Sequence, residues 1–319
     1  MLEIAAARLL FATAAWAAIA LIWIVLALGQ GRGRSWHIGL ALAPFPAFAL
    51  ALFGGDTLGQ LASLWLVMGL AIFCAVAAAW VWGEIARNHG VMDIVYALSV
   101  LAAAGVGVAV VGADAWRLTL VALVAAWSLR LAAQTWGQNI GAERAPYSNW
   151  RKRFGPKWRW WSFFQVHLLQ GVTIWLWCLG LAAAFSAPQP QSWWFAGLGA
   201  AVWGTGFCLQ TLADQQLAVF KREPANRGKL LDQGVWKLVR HPNYLGEAIM
   251  WWGTFCFALA HPWGLLALAS PVFATWFLGY ASAAPFKEQH MARTRGAAWE
   301  AYCRRTPRFL PWPRAARET

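Results

Sequence analysis

Five side chains able to hold or polarise a small polar group crowd into one short run of this 319-residue chain: Arg240, His241, Asn243, Tyr244 and Glu247. They begin the stretch GVWKLVRHPNYLGEAIMWWG, residues 234–253, which turns from polar to apolar as a helix entering a membrane does. Pro242 suits the first turn of that helix, where its missing N–H would have no partner anyway. His241, just before it, is pushed toward an extended backbone. Asn243, Glu247 and Met250 recur at i, i+4 and i+7, so an amide and a carboxylate share one face. A carboxylate entering hydrocarbon is costly and normally faces a polar cavity or a partner. A helix cap followed by a snorkelling glutamate is the plain alternative. The density of polar groups favours a site at the membrane surface.

The elements that must position this site are membrane helices. The chain is 60% hydrophobic and only 12% charged, against roughly 25% charged in a soluble domain. Apolar runs recur from end to end, which predicts an all-α, polytopic integral membrane bundle. We place about nine spans at 7–28, 36–53, 60–82, 92–112, 115–135, 162–186, 192–212, 243–260 and 262–281. Gly54-Gly55-Asp56, Gly112-Ala113-Asp114 and Ala187-Pro188-Gln189-Pro190 mark turns. His261-Pro262 joins the last two spans as an antiparallel hairpin.

The formal net charge of +13 does not point to nucleic acid, because the basic residues sit in short loops between apolar runs. With the N-terminus outside, segments 29–35, 83–91, 136–161, 213–242 and the tail from 282 fall inside. All but three of the 26 Lys and Arg (Arg8, Arg117 and Arg130) lie in those segments. That asymmetry follows the positive-inside rule and puts the C-terminal tail in the cytoplasm. The five cysteines form no CxxC pattern, and no two of the six histidines have metal-ligand spacing, so neither a disulfide framework nor a metal site is expected. The run from Ala7 to Leu28 lacks a basic n-region and reads as a retained span. His167 reads as a packed or hydrogen-bonded residue. The 25 tryptophans fall partly at predicted interfaces, where indole is favoured.

The segment ADQQLAVFKREPANRGKLLDQGVWKLVRHPNYLGEAIMWWG, 213–253, resembles the C-terminal signature of the steroid 5-alpha-reductase superfamily, and especially its bacterial branch of membrane proteins. The likeness continues into the tail, which ends YCRRTPRFLP, and upstream into HGVMDIVYAL, WSLRLA and FFQVHLLQGVTIWL. It covers roughly residues 80–312. The chain is thus expected to carry two additional N-terminal helices (1–58) ahead of a reductase-like membrane domain (59–319), whose cytoplasmic segments 136–161, 213–242 and 282–319 cap one pocket. The RHPNYLG run is shared with isoprenylcysteine carboxyl methyltransferases and sterol C14-type reductases. Asp214, Phe220-Lys221, Gly228-Lys229, Asn243 and Glu247 tilt the match toward the reductases.

The resemblance implies an NADPH site. Asn243 and Glu247 would hold the nicotinamide amide, with His241 and Tyr244 beside them. Asp214 would hold a ribose or adenine-side hydroxyl, and Lys221, Arg222 and Arg240 the phosphates. The chemistry agrees: an amide and a carboxylate pair with a carboxamide, and cations suit a 2′-phosphate. No GxGxxG follows a strand, so the cofactor must sit among helices. The implied reaction is hydride delivery to an enone while an acid polarises the carbonyl. Asp93 falls at the family's carboxylate position, but Trp127 stands near its tyrosine position. Tyr96, one turn from Asp93, can substitute as proton donor. Arg130 can orient Asp93 or simply pair with it across two spans. In the tail, Glu288 and Met291-Ala292 replace a family His and Tyr.

These residues together predict an NADPH-dependent reductase of a C=C bond in a lipophilic substrate entering from the bilayer. The protein would lie in a bacterial inner membrane, among membrane lipids and without nucleic acid. The alternatives are a SAM-dependent methyltransferase of the isoprenylcysteine type, or a non-catalytic membrane protein that retains the pocket. The topology predicts that the loop around Gly228 and Thr319 both face the cytoplasm. Cysteine accessibility at the two sites checks this, and a periplasmic signal at either overturns the nine-span arrangement.

Overall fold

The computed structural model describes residues 2–29, 34–188 and 192–311; Gln189 and Pro190 of one expected turn, and Thr319, lie outside them. Every regular element among the described residues is helical, as the apolar runs require. The chain folds as two compact units. One holds the chain up to residue 191 together with His261–Trp263, and the other Ser192–Ala260 and the chain from Gly264. The boundary expected at 58/59 falls inside the first unit.

The first unit contains α1 (Leu2–Leu28), α2 (Arg34–Leu42), α3 (Phe45–Phe53), α4 (Gly55–Ile85), α5 (Val91–Val111), α6 (Ala115–Asn139), α7 (Tyr147–Phe154), α8 (Trp158–Ser162), α9 (Leu169–Trp177) and α10 (Leu179–Phe185). Between α8 and α9 the helix widens into a π-helical turn, Phe163–Leu168. Two of the turn signals fall where the sequence put them. Gly55, at φ 70°, separates α3 from α4, and Asp114 caps α6 by accepting from the Arg117 N–H at 2.8 Å. α4, α5 and α6 pack in sequence, and indoles bind this unit internally. Trp65 and Trp175 stack at 4.0 Å, and each donates to the other's backbone carbonyl, at 2.7 and 2.9 Å. Gly69 makes that stack possible, since a Cβ there would lie 2.6 Å from the Trp175 ring.

The second unit contains α11 (Trp193–Arg222), α12 (Pro242–Ala258), α13 (Ala269–Trp276) and α14 (Ala283–Arg305). Two stretches expected as loops are largely helix. α11 runs unbroken through Ala213 to Arg222, because ADQQLAVFKR contains good helix formers and no Gly or Pro. It stops at Glu223, held extended (φ −78°, ψ 114°) by the following Pro224. Asp214, Lys221 and Arg222 therefore ride on a helix. The tail likewise forms α14, broken only at Gly296. Segment 136–161 also contains the last turn of α6 and all of α7.

Among the described residues, seven helical stretches are long and apolar enough to cross a membrane, and an eighth results if Tyr147–Trp177 and Leu179–Phe185, bent by 42°, count as one. The protein is a helical membrane protein. The expected span 243–260 is α12, whose 17 residues make a rod about 26 Å long, shorter than the roughly 30 Å hydrocarbon core. That helix separates the eight from the nine expected.

α11 and α12 are the most extensively packed pair of helices in the second unit, and glycines let them touch. Gly199 and Gly206 on α11 face Gly253 and Gly246 on α12, so the helices run antiparallel with backbones in contact. A Cβ on Gly246 would lie 2.6 Å from both the Gln210 N and the Gly206 O. Backbone cannot move aside as a side-chain tip can. Gly246→Ala is therefore expected to destabilise the protein by at least ~1–3 kcal/mol. Gly204→Ala, on the same helix but with open space around it, should be neutral or stabilising by up to about 1 kcal/mol. Thermal unfolding of the two variants in detergent makes the comparison; equal melting temperatures would remove the close-packing argument.

Candidate functional site

Each unit carries buried polar clusters. In the second unit the glycine contact of α11 with α12 brings two polar rungs into register. Gln210 donates its side-chain amide to Glu247 at 3.0 Å, and one turn on, Asn243 donates to Asp214 at 3.4 Å. The i, i+4 pair on α12 predicted from sequence thus meets an i, i+4 pair on α11. Asp214 fixes which way the Asn243 amide is turned, because only its NH2 end can donate to a carboxylate. The other end, Oδ1, is buried with no protein partner.

Arg240 and His241 precede the helix, with His241 at φ −134° as the following proline demands. Arg240 is buried and its nitrogens are used by the protein. Nε and Nη2 meet Glu288 Oε1 at 2.8 Å, and Nη1 donates to the carbonyls of Thr306 and Cys303 at 3.0 and 3.3 Å. The guanidinium also lies 5.6 Å from the Trp299 ring centroid. Glu288 Oε2 is held by Arg308 at 2.9 Å. Thus the residue that departs from the family's tail pattern anchors the tail to the signature helix. His241 sits 3.3 Å from Glu288 and stacks on Tyr244. Burial pushes its imidazole below its ordinary pKa, against the opposing pull of Glu288. Lys221 and Arg222 are exposed on the last turn of α11.

In the first unit Asp93, half-buried in the first turn of α5, accepts from the Tyr147 hydroxyl at 2.6 Å and from the Asn139 amide at 3.0 Å. Tyr96, expected as the proton donor, lies edge-on to Trp127 and Trp177. Arg130 donates to Gln134 at 3.0 Å. Sequence reasoning missed Tyr147 and Asn139. The available signal was the polar density of 136–161, but 54 residues separate Tyr147 from Asp93 and no periodicity connects them.

Beside this pair runs a second chain of groups. His89 is fully buried; its Nε2 meets Glu84 at 3.0 Å and its Nδ1 meets His167 Nε2 at 3.1 Å. The carboxylate of Glu84 takes the Nε2 proton of His89, so a neutral His89 accepts at Nδ1 from His167. That ordering leaves His167 Nδ1 as a buried lone pair, and it has no partner. Burial lowers the pKa of His89, with Glu84 pulling the other way. The His89 N–H donates to Glu143 at 2.9 Å, which Arg151 grips through two nitrogens at 2.7 and 3.0 Å.

A family described as proteins of unknown function, DUF1295, matches residues 79–306. This chain belongs to that family. The DUF1295 match takes in His89, Asp93, Asn243 and Glu288 and leaves α1 to α3 outside it. Two curated relatives are the Delta(14)-sterol reductase LBR of Gallus gallus, 35% identical over 97 residues, and the Delta(14)-sterol reductase TM7SF2 of Mus musculus, 34% identical over 103. The aligned parts cover 30% and 31% of this DUF1295 chain but only 14% and 23% of the relatives. These likenesses are consistent with a steroid-reductase-like superfamily. No solved structure matches the chain.

The Arg240–Glu288–Arg308 cluster predicts a specific energetic pattern. Glu288→Ala would orphan a buried guanidinium and should cost about 3–5 kcal/mol. Glu288→Gln, which keeps one acceptor, should cost less. Unfolding in detergent by heat or denaturant reads the order; a Glu288→Ala protein as stable as the parent would show that the cluster is not a lock.

Proposed function

We propose that this protein is a membrane-embedded, NADPH-dependent reductase of a carbon–carbon double bond in a lipophilic, sterol- or isoprenoid-like substrate, working in a bacterial inner membrane. The observation that carries the reading is the Asn243 amide. Its NH2 end is committed to Asp214 and its buried oxygen has no partner in the protein. Such an acceptor costs free energy unless a ligand donor meets it, and a carboxamide N–H is a donor of the right kind. Asn243 would hold the nicotinamide carboxamide, with Glu247 one turn along the same face. Tyr244 and His241, stacked on each other, offer a flat aromatic surface beside it. Arg240 acts by position: bound to Glu288 and the tail carbonyls, it fixes the start of α12. Lys221 and Arg222, exposed on the last turn of α11, would meet the pyrophosphate, to which Lys brings a point charge and Arg a fork.

When bound, the dinucleotide supplies the hydride. We assign the proton side of the reaction to Tyr147 and Asp93. The Tyr147 hydroxyl donates to Asp93 at 2.6 Å, and Asn139 fixes the second carboxylate oxygen. With Asp93 protonated and donating to the Tyr147 oxygen, the Tyr147 O–H would be free to polarise a substrate carbonyl. The sterol reductase names of the two curated relatives support reduction over methyl transfer.

Calorimetry on the purified protein tests the reading. NADPH should bind, and Asn243→Ala should weaken NADPH and NADH alike, by about tenfold or about 1.4 kcal/mol. Tyr147→Phe and Asp93→Asn should leave that binding intact while lowering turnover of a dienone or sterol diene, followed by NADPH absorbance, by roughly 10²–10⁴-fold. A protein that binds SAM and ignores NADPH would overturn the proposal in favour of methyl transfer; one that binds neither would be the non-catalytic relative.

A further inference from the structure

A cavity of about 460 Å³ opens in the second unit between the loop that follows α11 and the far half of α14. Its lining includes Lys229, Asp232, Arg295, Ala298 and Arg305. Arg305 is ion-paired with Asp232. Lys229 is exposed and has no ion pair among the described residues. Arg295 gives only Nη1, to the Thr294 carbonyl at 3.3 Å, and its Nε is buried without a partner. The cavity therefore carries two positive charges in excess of its one carboxylate, and one of them has a buried, unused N–H.

The backbone around these cations has been bent for them. Gly228 (φ 85°) precedes Lys229 and Gly296 (φ 50°) follows Arg295. A Cβ at either glycine would touch nothing within 4 Å. The left-handed conformation, and not crowding, is what calls for glycine there. The break at Gly296 starts a second helical segment at 297–305, whose N-terminal end lies beside Arg295.

We propose that this cavity binds a phosphomonoester dianion, supplied by the 2′-phosphate of the nucleotide; the assignment rests on the NADPH reading given above. Two uncompensated cations match the charge of the dianion. A guanidinium with a free Nε can present a forked pair of donors to phosphate oxygens, while the ammonium of Lys229 adds a point charge. Ala298 and Ala301 leave the α14 wall free of bulk. Arg240, the buried arginine of the signature, is already spent on Glu288 and on backbone carbonyls. Discrimination of NADPH from NADH accordingly lies with Lys229 and Arg295.

The test uses the full-length protein in zwitterionic nanodiscs at fixed low salt, with 2′,5′-ADP and 5′-AMP, which differ only in the 2′-phosphate. The parent should bind 2′,5′-ADP about tenfold or more tighter than 5′-AMP. The pair Lys229→Ala with Arg295→Ala should erase that preference and leave NADH binding unchanged, and Arg295→Lys should restore part of it. The proposal is overturned if the double variant binds 2′,5′-ADP as the parent does. It is also overturned if nanodiscs containing phosphatidylglycerol displace 2′,5′-ADP from the parent, since the natural anion would then be a lipid headgroup. Failure of the nicotinamide site is separable, because Asn243→Ala that binds NADPH normally leaves the 2′,5′-ADP result standing.

Discussion

The second unit depends on two helices touching at backbone distance. Four glycines, two on α11 and two on α12, remove the side chains that would hold the helices apart. Close approach of this kind is how helices associate where water offers no hydrophobic drive. It also sets the register of everything polar nearby. At ordinary spacing the short side chains of Asp214 and Asn243 could not meet, and the Asn243 amide would be free to turn either way. With the helices in contact, one carboxylate decides the orientation of one amide, and the amide oxygen is left facing away from every protein donor.

A second constraint joins the signature to the tail. Arg240, Glu288 and Arg308 form a partly buried ion cluster whose remaining donors end on backbone carbonyls of residues 303 and 306. Buried charges are costly to desolvate, and such a cluster contributes specificity of arrangement more than net stability. Here it fixes where α14 lies against the start of α12. The backbone N–H of Arg240 adds a bond to the Pro307 carbonyl at 2.9 Å, and the Tyr302 hydroxyl bonds the Trp236 carbonyl. The loop before α12 is thereby closed on the tail at several points, which gives the neighbouring cationic cavity a stable wall.

The first unit handles its polar groups differently. Its helices are joined by indoles that donate to backbone carbonyls in the interior, as Trp116 does to Ala184 at 2.9 Å. Against that apolar frame, the carboxylates of Glu84, Asp93 and Glu143 each receive a designated donor. The π-helical turn places His167 within reach of His89, and Gly83 makes room for the imidazole: a Cβ there would lie 2.6 Å from His89 Nδ1. Extra-wide turns of this kind are concentrated at functional positions in helices.

Composition and hydropathy alone determined that this is a helical membrane protein, because hydrocarbon admits no unpaired backbone and therefore few shapes. Local chemistry also determined the turns at Gly55 and Asp114, the start of α12 at Pro242, and the shared face of Asn243 and Glu247. All of these depend on residues only a few positions apart. The sequence was less informative where helix formers continued past the apolar run, so the ends of α11 and the helical tail were read as loops. What only the tertiary structure decided is partnership over distance. Asp93 meets Tyr147, and Glu288 proves to be the counter-charge of Arg240. Asp214 orients Asn243 across two helices. Each such pair is fixed by the packing of elements whose contact no periodicity along the chain encodes.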